Sequence, residues 1–530
     1  MSKRRRKRGK GALSHRRISK ALEPRVRHVS PEKFGILAVD SSKKNFAVLL
    51  ANFYRTELTE KLVFENSAAG LASLVETVQR LMAEHGLKDL VVAIERTGRY
   101  HVPARNALRK HWTVVMIHPY VTKKLRQAAD PGNKTDLTDL RAMIRATSIG
   151  YGTQPCQLPE PWALWRLFHR EREDRVKKRS IVRVQVQERI EALLPGFSGV
   201  FKKLWQQPNA LALAEHYGTA EALRAAGEEA ILEQLRASGR IARRSTAARV
   251  LQWAFGASPP DAHPEVRHRL LRDQLALART LDAQIGLYEA ELARYLVDTP
   301  FVLLLAIPGI NVVSASGYGA ELGPIEHYPT PRKIAGRAGL YPSRYQSDGV
   351  DHADGPLVKH GNARLRDALM EIAHNLVRCN EHFKVWAKTR EDRGWRKVKI
   401  RVALANKFAR ISHAMLAGRT GFAHPSMGGS QAVLAKLVAF ARSAGFEPAG
   451  IRHLLMRACR QLPEAAREDE ARALVELVPW RRRRPAPTTD SPPVLLGDVL
   501  REVIARLAPG VALETERRAD QPRKTRRASR

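Results

Sequence analysis

Apolar positions near the start of the ordered chain fall in short continuous runs bounded by polar turns, which is the pattern of short strands. Order begins at Phe34. Phe34 to Asp40 is an apolar run ending in an acid, Ser41 to Lys44 is a polar turn, and Asn45 to Leu50 is a second run, so the pair reads as a hairpin. Lys61 to Asn66 supplies a third strand. The period then changes: Leu71, Leu74, Val75, Val78 and Leu81 lie on one stripe of a helix over Ser67 to His85. Asp89 to Glu95 is another apolar run closing on an acid, followed by a helix near His101 to Lys110, a strand over Thr113 to His118, and a helix carrying Asn133 to Arg145.

The order β-β-β-α-β-α-β-α, with parallel strands after an opening meander, is the connectivity of the ribonuclease H-like fold. Residues 151–300 are helical by pattern. Trp162 to Leu194 is one long charged helix stopped by Pro195-Gly196, and Val266 to Leu296 is another, in which Leu281, Ile285, Tyr288, Leu292 and Tyr295 repeat at heptad spacing over a short span. An antiparallel helical or coiled-coil arm with a self-association role fits, as do two helices of an ordinary bundle. Leu211 to Gly256 reads as a small helical insertion. Leu303 to Asn311, ahead of a helical run from Val312 to Leu322, resembles a helix-hairpin-helix turn whose N–H groups grip phosphate. Asn311 stands where a second glycine is usual, and asparagine tolerates the left-handed backbone expected there. A further helix starts near Asn362, with Ile372, Leu376, Phe383 and Trp386 as core. The basic run that follows, with Lys397, Lys399, Arg401, Lys407 and Arg410, is suited to lie along nucleic acid.

Charge sharpens the picture. The 530 residues hold 91 Lys and Arg against 53 Asp and Glu, a net charge of +38 that implies a polyanionic partner, nucleic acid first. Residues 1–30 carry twelve of the basic residues against one acid, and residues 481–530 carry thirteen against six. The first is expected to be a disordered arm, either phosphate-binding or merely solubilising. Three cysteines, Cys156, Cys379 and Cys459, form no paired motif and exclude a disulfide framework. No signal segment or membrane span is expected, so the location is cytoplasmic.

The candidate chemistry is acidic. Asp136 and Asp139 are three residues apart and share a helix face. They are either a solvated helix start, compensated by Lys134, Arg141 and Arg145, or one half of a cation site. In the expected fold the ends of the first and fourth strands bring Asp40 and Glu95 to the same place. Four carboxylates in one cleft suit Mg²⁺, a hard cation that prefers oxygen ligands and supports phosphoryl transfer. Ser347 lies in a basic, glycine-rich loop ahead of a helix, where it serves as a phosphate binder, a turn residue or a nucleophile. Lys359, Arg364 and Arg366 follow closely and either contact phosphate or form a solvated face.

Several blocks together carry a resemblance. Asp40, Ile94-Glu95-Arg-Thr-Gly-Arg-Tyr, His118-Pro119, Asn133-Lys-Thr-Asp136-Leu-Thr-Asp139-Leu-Arg141, Ile307-Pro-Gly-Ile310 and Ala338-Gly-Leu-Tyr-Pro-Ser-Arg-Tyr-Gln-Ser347 stand in the order and spacing of the DEDD insertion-sequence transposases of bacteria, the family numbered one-ten. The chain resembles that family over about 34–150 and 300–417. The resemblance implies a RuvC-like domain over 31–150, an arm over 151–300, a mainly helical transposase domain over 301–417 and an extension over 418–530 with a basic tail. It implies Asp40, Glu95, Asp136 and Asp139 as ligands of Mg²⁺ or Mn²⁺ and Ser347 as a nucleophile forming a phosphoserine link to DNA. Lys134, Arg344, Lys359, Arg364 and Arg366 are then nucleic-acid contacts. Donor and target DNA, a structured guide RNA and a homo-oligomer, dimer or tetramer, are the implied partners, in a bacterial, nucleoid-associated setting. Ser343 stands close enough to Ser347 to be a rival. Two other classes stay open: a metal-dependent RuvC-like nuclease or junction resolvase without serine chemistry, and a non-catalytic nucleic-acid-binding descendant.

Overall fold

The computed structural model describes residues 19–462 apart from 97, 155–157, 202, 348–349, 353–354, 359–360 and 422–428. Lys359, Cys156, Arg481 to Arg484 and both charged chain ends therefore lie outside the described residues. The chain divides into two compact units, Met1–Leu158 and Pro159–Arg530.

The first unit is built on five strands, β1 Phe34–Ser41, β2 Asn45–Asn52, β3 Leu62–Glu65, β4 Asp89–Glu95 and β5 Thr113–Ile117, in the order β3-β2-β1-β4-β5. β1, β2 and β3 form the expected antiparallel meander, and β4 and β5 add in parallel to β1. The helices here are α1 Ser19–Val29, α2 Ala68–Glu84, α3 His101–Leu108, α4 Pro119–Ala129 and α5 Asp136–Ser148. Both faces of the sheet are covered, which is why its central strands read as unbroken apolar runs. Leu37, Val39, Val92 and Ile94 pack under Leu74 and Val78 of α2 and Leu108 of α3. Phe34, Ile36, Ala38, Val91 and Ala93 pack on the other side with Leu140, Met143 and Ile144 of α5.

α1 corrects the expectation of a disordered arm through residue 30. Leu22 and Val26 enter the α5 face of the core. Arg25 grips the Asp89 carboxylate and donates to Thr113 Oγ1 at 2.9 Å. The run is amphipathic and anchored by long-range contacts, which its high charge masked.

The second unit contains the arm. α6 Glu160–Leu193 continues through the short α7 Phe197–Val200, α8 Pro208–Tyr217, α9 Ala220–Ala237 and α10 Arg244–Gly256 to α11 Pro264–Leu296. α6 and α11 run antiparallel, cross-linked from Arg172 to Glu289, Arg175 to Gln284, Arg179 to Asp282 and Gln274 to Gln185. Val182, Val186 and Ile190 meet Leu271, Leu275 and Ala278 in a core shared with the insertion.

At the other end of the arm, Trp165, Leu292 and Leu296 belong to a second core with the buried 3₁₀ segment Pro300–Ala306 and the remaining helices. These are α12 Val312–Leu322, α13 Pro331–Ala338, α14 Ala363–Cys379, α15 Glu381–Glu391, α16 Lys397–Gly418, α17 Ser430–Ser443 and α18 Pro448–Cys459. β6 Tyr345–Ser347 and β7 Val350–His352 form a small hairpin. The expected boundaries at 300 and 417 are not breaks in this core. Leu292 and Leu296 lie on one side of the first, and Val433, Leu437 and Leu454 on the far side of the second, all in one cluster. Close helix approach explains part of this: a Cβ on Gly319 would stand 2.4 Å from the Trp165 ring.

Asn311 also differs from expectation. Its φ is −113°, and its side chain accepts from Ser314 N in a capping box that starts α12, while Gly309, at φ +94°, makes the left-handed turn. Asparagine is a strong helix cap, and that role won over left-handed tolerance. Lys436 of α17 closes the same turn, its Nζ donating to Leu305 O at 2.6 Å and to Ile307 O and Ile310 O at 2.8 Å.

Candidate active site

The pleat decides where the first two acids point. Alternate residues of a strand face opposite ways, so Asp40 continues the row of Phe34, Ile36 and Ala38, and Glu95 continues that of Val91 and Ala93. Both rows face α5. β1 and β4 are parallel with Val39 opposite Ile94, which sets Asp40 and Glu95 at neighbouring carboxyl ends. α5 begins at the same edge. Thr135 caps it, its side chain accepting from Thr138 N at 3.2 Å while Thr138 Oγ1 accepts from Thr135 N at 3.0 Å. The cap fixes the first turn, and Asp136 and Asp139 lie in that turn.

The charges of these acids act on one another. The Asp40 carboxyl is raised above its ordinary range by burial, then by repulsion from Asp136 and Asp139. Glu95 is pushed up to about 7 by burial and by Asp40 and Asp139, against the opposing pull of Lys134 and Arg126. Each acid of the four is therefore within charge range of at least one other. Among the described residues, however, no three acidic, His or Cys side chains stand in metal-holding geometry. Asp139 is turned onto Arg126, with Nε 2.6 Å from Oδ1 and both side chains nearly buried. That nitrogen lies at ion-pair distance without an aligned hydrogen bond. Asp136 is exposed and 3.7 Å from Lys61 Nζ.

Sequence reasoning missed both Arg126 and Lys61. Arg126 rides on α4, whose start was legible in Pro119 following His118: proline suits the first helical position, and His118 Nδ1 accepts from Tyr120 N at 3.1 Å. Arg141 was one of three cations that could have compensated the acids if no metal did. It binds Glu57 instead, at 2.6 and 3.0 Å, and pins α5 to the loop before β3.

In the second unit, Ser347 ends β6 opposite Val350 and is exposed. Ser343 sits at the neck of the same hairpin, its N–H donating to Pro356 O at 2.9 Å and its carbonyl accepting from Gly355 N at 3.2 Å. Arg344 and Tyr345 are exposed beside Ser347. The two arginines beyond the hairpin are structural. Arg364 was expected on phosphate, but it pairs with Glu173 and, at 3.4 Å, with Asp174 of α6. Arg366 donates to Ala338 O and Val358 O at 3.4 and 3.3 Å. Asn362 caps α14 and also donates to Glu321 Oε2 at 2.8 Å. Glu321 is fully buried, and Arg170 of α6 binds it through both oxygens at 2.7 and 3.0 Å.

Comparison with known proteins adds two family matches. Residues 37–198 match the transposase family model of DEDD, IS110 type, and residues 302–386 match the transposase IS116/IS110/IS902 family. Relatives include the "Probable family 20 transposase" of Pseudomonas aeruginosa, 32% identical over 169 residues, covering 31% of this chain and 49% of that protein. The transposase for insertion sequence element IS1328 of Yersinia enterocolitica is 31% identical over 173 residues, 31% of this chain and 51% of that protein. The chain thus spans about half the length of these curated relatives.

Proposed function

We propose that this chain, which carries both IS110-type segments in order, is an insertion-sequence transposase that cuts and rejoins DNA using Asp40, Glu95, Asp136, Asp139 and Ser347. What supports the reading is that β1, β4 and the first turn of α5 bring Asp40, Glu95, Asp136 and Asp139 within charge range of one another, inside the segment that matches the DEDD model. The donors suit Mg²⁺ or Mn²⁺: all are carboxylate oxygens, with Asp40, Glu95 and Asp139 part-buried and Asp136 open to solvent. Such an ion, when bound, polarises a phosphoryl oxygen and stabilises the charge that develops there.

The chain's own residues supply the rest. Arg126 holds Asp139 in place and offsets its charge. Ser347, exposed at the end of a short strand, presents its hydroxyl, whereas Ser343, at the hairpin neck, is only partly exposed. Attack of Ser347 Oγ forms a phosphorus–oxygen bond and breaks the bond to the leaving deoxyribose oxygen. The serine proton passes to a general base, and the leaving oxygen takes one up. Bond energy is kept in the phosphoserine, so rejoining needs no nucleotide. The partners of this reading are donor and target DNA, a structured guide RNA and further copies of the chain, with a RuvC-like role for the first unit.

The test is to trap wild-type, Ser347→Ala and Ser343→Ala proteins on a cognate substrate and look for a denaturation-resistant adduct. Loss of the adduct in Ser347→Ala alone is expected. An adduct that persists in that variant, or free ends released by every active protein, returns the chain to a nuclease that activates water.

A further inference from the structure

A ladder of alternating rings and cations runs across α15, α16 and the loop between them. The Arg390 guanidinium stacks 3.6 Å from the Trp386 centroid and 5.9 Å from that of Trp395. Lys399 Nζ is 5.1 Å from Trp395, and Lys407 Nζ is 5.3 Å from Trp386 and 5.8 Å from Phe383. Phe383 is buried and Trp386 half-buried, so the inner rungs are anchored in the core. Trp395 is the outer rung, at 36% exposure.

The cations that line this ladder are uncompensated. Residues 381–410 carry ten Lys and Arg against three acids. Among the described residues, Arg390, Lys399, Lys407 and Arg410 form no ion pair, while Lys384 and Lys397 do. Lys407 is lowered by burial and then by Arg390 and Arg410. A face with ten cations against three acids over residues 381–410 points to a polyanionic partner rather than to another protein. With an exposed tryptophan in it, the face does not fit an intact duplex, whose bases are stacked on one another. It fits a strand whose bases are unstacked, with rings to stack on and cations for the phosphates.

We propose that the face around Trp395 binds an unpaired DNA strand, one base stacking on the Trp395 ring and the flanking phosphates meeting Lys399, Arg390 and their basic neighbours. The choice of DNA rests on the proposed function, since cutting a duplex produces ends that can unpair. The stacking itself needs neither the acid cluster nor Ser347.

The experiment is fluorescence anisotropy with the full-length protein in EDTA, at one fixed salt concentration, so that cleavage plays no part. The probes are a labelled single-stranded DNA, the same strand with abasic positions, a DNA hairpin duplex, and an RNA of the same sequence. Trp395→Ala is expected to weaken the single-stranded DNA about tenfold, Trp395→Phe to keep most of the affinity, and the abasic strand and duplex to bind both proteins alike. An unchanged affinity in Trp395→Ala, or an equal loss on the abasic strand, overturns the stacking site. Tighter binding of the RNA, lost in Trp395→Ala, overturns the assignment to DNA. Normal cleavage beside either result leaves the transposase reading standing on its own.

Discussion

Asp139 illustrates how much of a site one residue can hide. Its carboxylate is locked against Arg126, so its charge is already met before any cation arrives. Asp139→Asn removes charge but little volume. Strand cleavage in Mg²⁺ is expected to be abolished while DNA binding by anisotropy stays within about twofold, the size of a lost surface charge contact. Arg126→Ala has the opposite signature. It leaves the acids uncompensated, so thermal unfolding without divalent ion should fall by several degrees, on the order of 1–2 kcal/mol, and added Mg²⁺ should recover it more than in wild type. At this scale the sequence was informative about the acids and silent about their partner. Asp40 and Glu95 each close an apolar run, and Asp136 and Asp139 share a turn, all local signals. Arg126 meets Asp139 through a fold in the chain, and Arg141, nearer in sequence, binds Glu57 instead.

Among the elements, the buried contact of α6 with α12 and α14 sets the strongest expectation. Burial alone would raise the Glu321 carboxyl, but Arg170, Asn362 and Arg166 outweigh it and hold the value at about 2, below the ordinary 4.5. A depressed carboxylate contributes stability that is complete above about pH 4.5 and is lost as pH falls toward 2. Glu321→Gln is expected to cost about 2–3 kcal/mol at neutral pH, less than a fully buried pair because Arg170 is partly solvated, and to flatten the acid limb of a pH-dependent melting series. Gly309→Ala tests the neighbouring turn. The positive φ disfavours a side chain, and the new Cβ would stand 2.9 Å from Asn375 O, so a loss of about 1–3 kcal/mol by chemical denaturation is expected. Strands and long helices were legible because burial on both faces and long amphipathic runs leave strong patterns. α1 and the Lys436 clasp were not, since each acquires meaning only from residues distant in sequence: Arg25 at Asp89, and Lys436 at the carbonyls of the turn.

For the whole molecule, net charge and fold make separable predictions about the chain's beginning. A +38 protein should lose affinity for duplex DNA steeply with salt, with a log–log slope near 0.9 for each phosphate neutralised. Removing residues 1–18 should lower that slope and leave the melting temperature unchanged. Removing 1–30 should also destabilise the first unit, because Leu22, Val26 and the Arg25 contact to Asp89 go with it. Equal melting of the two truncations, by calorimetry, would contradict the packing of α1. The attachment of the arm has a mechanical meaning as well. α6 is 34 residues long, about 50 Å as a straight helix. Arg170 near its base holds the carboxylate to which Asn362 donates, while Glu173 and Asp174 hold Arg364 two residues later. The helix that follows the serine hairpin is thus clamped to the base of a long rigid rod, so that any load carried along the rod would reach the hairpin's own support first.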